Sequence, residues 1–248
     1  MYKMVFLDID GTILSSDEQL DSEFIHTIEK VKERGVLVGL ATGRSLDGAK
    51  PYGERFGCRM YVVYNGGWAI DNETTVFDQR IPRHVAHHAC MKTDEWGGAY
   101  IHFFGEGSLS NRPPSHIEHL LPRASLCDLS ETKQDAHRLT LYLDREHRDR
   151  LKDEIVEASC FDEGDRLEIF HKGSKWSGIL SFMQKYDIAS EDVVTIGNGL
   201  NDIGMLRGAG LGIAMGNAPD EVKKIANRIT KSNDQHGVTY ALKEIFNL

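Results

Sequence analysis

The sequence is poor in cysteine: Cys58, Cys90, Cys127 and Cys160 are the only four in 248 residues, and no C-x-x-C pair exists. That spacing argues against a zinc knuckle or a dithiol redox motif, and reduced thiols in a cytoplasmic protein are the expectation. No apolar run approaches the roughly 18 residues that a membrane span needs. No signal peptide is expected either, because the first strand-like segment begins at Met4 and runs directly into charged residues. Long basic runs are missing as well. With 29 Lys and Arg against 38 Asp and Glu, the net charge is −9, which disfavours duplex nucleic acid and anionic membranes as partners. There is no internal repeat and no low-complexity tract. Hydrophobic residues at 40% and charged residues at 27% are ordinary globular usage, so disorder, collagen and coiled coil are disfavoured. The length suits one large domain or two unequal ones, with a core that needs no staples.

What is present alternates by element type. Val5–Leu7, Val36–Leu40 and Tyr61–Tyr64 are short apolar runs, as in strands buried on both faces. Between them Leu20, Phe24, Ile28 and Val31 recur at helical spacing up to Gly35, and a helix is predicted around Leu46–Phe56. The C-terminal part repeats the rhythm: helix Ser177–Tyr186, strand Val193–Ile196, short helix Asn201–Arg207, strand Leu211–Met215, a helix with Pro219 in its first turn ending near Asn227, and a closing helix Thr239–Phe246. This pattern predicts a parallel α/β sheet. The middle differs. Residues 81–170 are richer in His, Arg and Glu, and His137–Leu143 and Arg166–Phe170 alternate as strands with one wet face do. Helices are predicted near Arg83–Trp96, Pro114–Leu121 and Glu146–Ser159. The expectation is a smaller α+β domain, 81–170, inserted into a core made of 1–80 and 171–248.

Four segments carry chemistry. Asp8-Ile9-Asp10-Gly11-Thr12 ends the first strand, where alternate residues face one side. Two carboxylates so close repel unless a cation joins them, and a divalent metal removes the conflict. The bland alternative is an acidic turn built on Gly11. Ala41-Thr42-Gly43-Arg44 follows the second strand; a hydroxyl and an unhindered amide there can bind a phosphate oxygen, or the glycine can simply serve a turn. Lys175 precedes a helix and can neutralise phosphate charge, although a single Lys is usually solvated surface. Gly197-Asn198-Gly199-Leu200-Asn201-Asp202 follows a later strand. Asn198 and Asp202 share a helical face if a helix starts there, and both offer the oxygen ligands that suit Mg²⁺; a capped glycine-rich loop is the alternative.

Taken as an ordered set, these segments resemble the haloacid dehalogenase (HAD) superfamily. Tyr64-Asn65-Gly66-Gly67 and Gly212-Ile213-Ala214-Met215-Gly216-Asn217-Ala218 are similar to its Cof-like phosphatases. The resemblance spans nearly the whole chain and implies a Rossmann-like core with a parallel sheet plus an inserted α+β cap of class IIB. It also implies a Mg²⁺-dependent phosphohydrolase working through an aspartyl-phosphate. In that reading Asp8 is nucleophile and metal ligand. Asp10 is acid, then base, and lends its backbone carbonyl to the metal. Thr42, the Gly43 amide and Lys175 hold the phosphoryl group, while Asn198 and Asp202 complete the metal site directly or through water. Asn65 and Asn201 add contacts to the phosphate or to the loops around it. The roles agree with the needs of phosphoryl transfer: an in-line nucleophile, charge neutralisation and a protonated leaving group.

Two residues depart from the family pattern. Position 198 is most often Asp, and Asn198 keeps an oxygen while removing a charge, so weaker Mg²⁺ binding is expected. The residue after Lys175 is commonly Gly and is Trp176 here. Candidate substrate residues are Arg44 and Asn65 in the core and Tyr100, His102, Arg112 and Arg138 in the cap. His84, His87 and His88, like His116 and His119, have no matching third ligand and are not expected to bind a transition metal. The substrate expected is a small phosphorylated metabolite, a sugar or polyol phosphate. Three alternatives stay open: a phosphotransferase or phosphomutase, a non-catalytic module that binds a phosphometabolite, and a receiver-like phosphorylation switch.

Overall fold

The computed structural model describes residues 2–112, 124–127 and 135–248. They divide into two units, Met1–Asp78 with Ser174–Leu248, and Gln79–Gly173.

The first unit opens with β1 (Met4–Leu7), four consecutive buried residues, the signature of a strand covered on both faces. In α1 (Ser22–Glu33) Asp21 caps the start by accepting the Glu23 amide, and Phe24, Thr27, Ile28 and Val31 form the buried stripe. Next come β2 (Leu37–Ala41), α2 (Leu46–Gly53), capped by Ser45, and β3 (Met60–Val63). A hairpin follows, β4 (Trp68–Asp71) and β5 (Thr74–Asp78), where the sequence predicts no strand. Asn72, at φ +56°, makes its turn. No residue of β5 is fully buried, so this edge strand has no apolar run to announce it.

The second unit contains α3 (Arg83–Glu95), β6 (Ala99–Phe104), β7 (Gly107–Ser110), β8 (Ser125–Leu126), β9 (Arg138–Tyr142), α4 (Arg145–Glu154), β10 (Ala158–Asp162) and β11 (Leu167–His171). Its sheet runs β10-β11-β9-β6-β7-β8. The core joins Tyr100, Leu139, Leu141, Leu167 and Ile169 with Val85, Ala89 and Leu151. The helix predicted to reach Ser159 stops at Glu154, because 158–162 pair with β11 in the sheet. The predicted helix Pro114–Leu121, with His116 and His119, lies outside the described residues.

The chain then returns with α5 (Lys175–Tyr186), β12 (Val193–Gly197), α6 (Ile203–Gly208), β13 (Leu211–Ala214), α7 (Asp220–Ile225), β14 (Arg228–Ile229) and α8 (Gly237–Phe246). Pro219 stands just before α7 as its N-cap rather than inside its first turn. The sheet of the first unit runs β14-β13-β12-β1-β2-β3-β4-β5. It is parallel from β14 to β3 and antiparallel through the hairpin. Met4, Phe6, Met60 and Val62 pack against Ile179, Phe182 and Met183 of α5. The Phe6 and Phe182 rings lie 5.5 Å apart, and truncating Phe182 to Ala removes on the order of 3–5 kcal/mol.

This order positions the site. β1 pairs with β12 on one side and β2 on the other. The chain therefore reverses direction across the sheet at β1, and open α/β sheets bind ligands at the carboxyl ends of strands at such a point. No helix among the described residues is long and apolar enough to cross a membrane.

Candidate active site

Asp8 leaves the end of β1, and its amide donates to the Ile196 carbonyl at 3.0 Å, which ties it to β12. Lys175 is the first residue of α5 and is fully buried. Its Nζ donates to Asp8 Oδ1 and to Asp202 Oδ1, both at 2.6 Å. The other oxygen of Asp202 accepts the Asn198 and Gly199 amides at 2.9 and 2.8 Å. Both Asp202 oxygens are thus engaged, one holding Lys175 and the other the loop after β12.

Two buried carboxylates share one ammonium here. Burial, and then Asp202, push Asp8 from its ordinary value up to about 7 against the opposing pull of Lys175. Burial lowers Lys175, but Asp202 and Asp8 outweigh it and hold the ammonium above its usual range. With both carboxylates ionised the cluster would carry one negative charge more than its single cation balances, a condition that a further cation relieves.

Oxygen atoms gather beside Asp8 where such a cation would sit. The turn Ile9–Ile13 brings Thr12 Oγ1 to 3.3 Å from Asp8 Oδ2 and 2.9 Å from Asn198 Oδ1. The Asn198 amide satisfies this surrounding in two ways. With its nitrogen turned in, it donates to Thr12 Oγ1, Asp8 Oδ2 and the Asp10 carbonyl at 2.9, 3.3 and 2.7 Å. With its oxygen turned in, three oxygens from Asn198, Asp8 and Asp10 crowd together, an arrangement that a hard cation satisfies. A carboxylate, a carbonyl and an amide oxygen fit Mg²⁺ chemistry. Among the described residues no group of three or more His, Cys, Asp or Glu is placed to hold a metal, so any metal site here is of this mixed kind.

On the other side of Asp8, Thr42 follows β2, and its amide donates to the Val62 carbonyl at 2.8 Å. Thr42 Oγ1 accepts the Arg44 amide at 3.2 Å. Asn65 lies against Gly43, where a Cβ would come within 3.3 Å of Asn65 Oδ1. The same oxygen accepts from Asn201 Nδ2 at 2.9 Å. Asn65 thereby links the loops after β2 and β12. Arg44, predicted as a substrate residue, donates Nε and Nη2 to the two carboxylate oxygens of Asp10 at 2.9 and 2.6 Å. Its guanidinium also stacks over Tyr52 at 4.8 Å and donates to the Tyr52 hydroxyl at 3.2 Å.

The four remaining predicted residues belong to the second unit. Tyr100 is fully buried in its core, and His102 is buried in the same strand. Arg112 donates to the Gly97 carbonyl. Arg138 forks onto Glu168 at 2.6 and 3.0 Å and stacks on Phe103 at 4.8 Å. Each thus has a packing or pairing role within its own unit. His84 and His88 pair with Glu157 and Glu154, both at 2.9 Å. Trp176 packs with the core cluster of α5 and lies against Gly208, where a Cβ would meet its ring at 2.3 Å.

Sequence reasoning gave no role to Thr12, Tyr52 or Asn217. Thr12 lies four residues from Asp8 in the segment Asp8–Thr12, and that spacing is a usable signal. Asn217 Nδ2 donates to the Gly11 carbonyl at 2.9 Å across 206 residues, which no local pattern encodes.

The family model of haloacid dehalogenase-like hydrolases matches residues 5–242. The chain belongs to that family. This HAD-type enzyme is a phosphatase, and relatives extend over its whole length. YkrA of Bacillus subtilis, provisionally named a phosphatase, is 29% identical over 98% of this chain and 97% of its own. YitU of the same organism, a 5-amino-6-(5-phospho-D-ribitylamino)uracil phosphatase, is 26% identical over 99% and 98%. The HAD subclass IIB sugar phosphatase BT4131 has the same fold, with a TM-score of 0.89 at 23% identity over 99% of this chain and 100% of that one. The HAD fold is therefore of the class IIB kind, an α/β core with a smaller α+β insert.

Proposed function

We propose that this HAD phosphatase is Mg²⁺-dependent and hydrolyses a small phosphorylated metabolite, a sugar or polyol phosphate, through an aspartyl-phosphate on Asp8. One observation carries the reading: buried Lys175 joins Asp8 to Asp202 at 2.6 Å each, beside converging groups of Asp8, Asp10 and Asn198 whose oxygens suit a hard cation.

Asp8 Oδ2, the Asp10 carbonyl and Asn198 Oδ1 would hold Mg²⁺, with Asp202 fixing the loop that bears Asn198. Mg²⁺ supplies positive charge that offsets the repulsion between Asp8 and an anionic phosphate. Thr42, the Gly43 amide and Lys175 hold the phosphoryl oxygens, and Asn65 and Asn201 keep their loops in register. An Asp8 oxygen attacks phosphorus as the ester P–O bond breaks. Asp10, released from Arg44 and protonated from solvent, gives that proton to the departing alcohol oxygen. Asp10 then takes a proton from water, whose oxygen attacks the same phosphorus. The bond to Asp8 breaks, and inorganic phosphate leaves with the carboxylate restored.

The insert Gln79–Gly173 is the substrate-specificity domain in this reading, and the protein acts in the cytoplasm. The polyol preference draws on YitU, whose named substrate carries its phosphate on a ribityl chain.

Phosphate release from a panel of sugar, polyol, nucleotide and glycolytic phosphates tests the proposal, with and without Mg²⁺ and with Asp8→Asn as the blank. The expected result is turnover that requires both Mg²⁺ and Asp8, greatest on sugar or polyol esters. Turnover retained in Asp8→Asn, or none on any ester from folded protein, overturns it. Phosphate passed to an added sugar in preference to water identifies a transferase.

A further inference from the structure

The segment Met215–Ala218 is the one sequence motif without a role in the mechanism above. Its backbone is fixed on every side. The Met215 amide donates to the Gly197 carbonyl at 3.0 Å, Gly216 to Lys231 at 2.9 Å, and Ala218 to Met215 at 3.0 Å. A Cβ on Gly216 would meet the Ser232 amide at 2.7 Å, so this loop lies directly on the 230–232 segment. Asn217 projects from that rigid base. Its Nδ2 donates to the Gly11 carbonyl at 2.9 Å, and its Oδ1 accepts the Asn233 amide at 3.2 Å.

The far end of this bridge is a weak point of the site. Gly11 sits at φ +69°, and a Cβ there would come within 2.5 Å of Asn198 Nδ2. Position 11 therefore favours glycine, the residue that least restrains its own backbone. The peptide before Gly11 carries the Asp10 carbonyl, and the peptide after it leads to Thr12; both face Asn198. Packing does not hold the turn on its outer side, because a cavity of about 470 Å³ borders Asp10, Gly11, Ser16 and Asn217. Hydrogen bonds do: Asn217 Nδ2 to the Gly11 carbonyl, Asn233 Nδ2 to the Leu14 carbonyl at 3.0 Å, and the Ser16 amide and hydroxyl to the Asp234 carboxylate, both at 2.7 Å.

We infer that Asn217 is a positioning residue for the reaction: by gripping the Gly11 carbonyl it fixes the glycine turn, and so holds the Asp10 carbonyl and the Thr12 hydroxyl against the metal-facing oxygens. The inference rests on the proposed assignment of Asp8, the Asp10 carbonyl and Asn198 to the metal. Asn217 touches neither phosphate nor metal; it acts through Gly11.

The test compares wild type with Asn217→Ala and Asn217→Asp, by calorimetric titration with Mg²⁺ alone and by kcat and KM on the best ester. Asn217→Asp keeps an acceptor for the Asn233 amide and loses the donor to Gly11, so it preserves the loop's anchor where the alanine variant disturbs folding. The expected result is roughly tenfold weaker Mg²⁺ binding and roughly tenfold lower kcat in both variants, with KM nearly unchanged, the size usual for residues that orient a metal ligand. Mg²⁺ affinity and kcat within about twofold of wild type overturn the inference. So does a loss in the alanine variant that the aspartate variant restores, since the Asn233 contact then carries the effect. Wild type that releases no phosphate defeats the phosphatase reading, while the Mg²⁺ titration still judges Asn217. Wild type that binds no Mg²⁺ overturns the inference as well.

Discussion

Arg44 holds Asp10 by both carboxylate oxygens, at 2.9 and 2.6 Å, while Tyr52 braces the guanidinium from behind. In this grip Asp10 accepts from Arg44; in the proposed mechanism it takes up a proton and serves the leaving group once the fork opens. Arg44 therefore positions Asp10. Arg44→Lys keeps the charge and loses the fork and the stacking. We expect kcat on alkyl phosphates to fall roughly tenfold, with little change on p-nitrophenyl phosphate, whose leaving group needs no proton. Equal losses on both esters, or a change confined to KM, would place Arg44 on the substrate instead.

Asn198 offers the metal-free protein an amide that turns its nitrogen toward three oxygens. Asn198→Asp removes that option and sets a carboxylate against Asp8 and the Asp10 carbonyl. The variant is expected to melt lower than wild type in EDTA, to bind Mg²⁺ roughly tenfold more tightly, and to gain more from added Mg²⁺. Melting curves across a Mg²⁺ series read all three. An unchanged Mg²⁺ half-saturation would show that Asn198 is no ligand of consequence.

Burial, with Asp202 beside it, pushes Asp8 in the folded protein from its ordinary 3.8 up to about 7. A raised acid contributes stability that is complete below the unfolded value and is lost as pH rises through the folded one. Without metal, wild type should lose stability relative to Asp8→Asn from about pH 4 to about pH 7, by on the order of a few kcal/mol, with no further change above. Urea unfolding of both proteins in EDTA across that range measures it. A constant difference between them would mean that Asp8 titrates normally.

His171 is buried in the second unit, and neither ring nitrogen has a hydrogen-bond partner. Burial, and then His137, lower it from 6.5 to about 4. A depressed His leaves stability intact above pH 6.5 and removes it as pH falls toward 4. His171→Leu should therefore cost little at pH 7.5 and gain on wild type by on the order of a few kcal/mol by pH 4. Melting temperatures at pH 7.5, 5.5 and 4 compare them; parallel losses in both proteins would clear His171 of any part in acid sensitivity.

The paired Asp8 and Asp10, the Thr42-Gly43 turn and the Asn198–Asp202 loop were legible because each follows a buried parallel strand, and apolar runs announce such strands. The hairpin β4–β5 was not, since its edge strand carries no buried run. The helix expected to reach Ser159 was overextended because pairing with β11 claims 158–162. Tyr100 and Arg138 carry groups that suit substrate binding, yet the fold commits one to a core and the other to Glu168.

The chain's order of residues already specified which groups stand at the strand ends, because neighbours in sequence are held together covalently and strand periodicity decides which face they share. Their partners were another matter. Arg44 reaches Asp10 across 34 residues, Lys175 reaches Asp8 across 167 and Asn217 reaches Gly11 across 206. A hydrogen bond acts over about 3 Å. Which distant groups come within that range depends on strand order and register, and those exist once β12, β1 and β2 lie side by side.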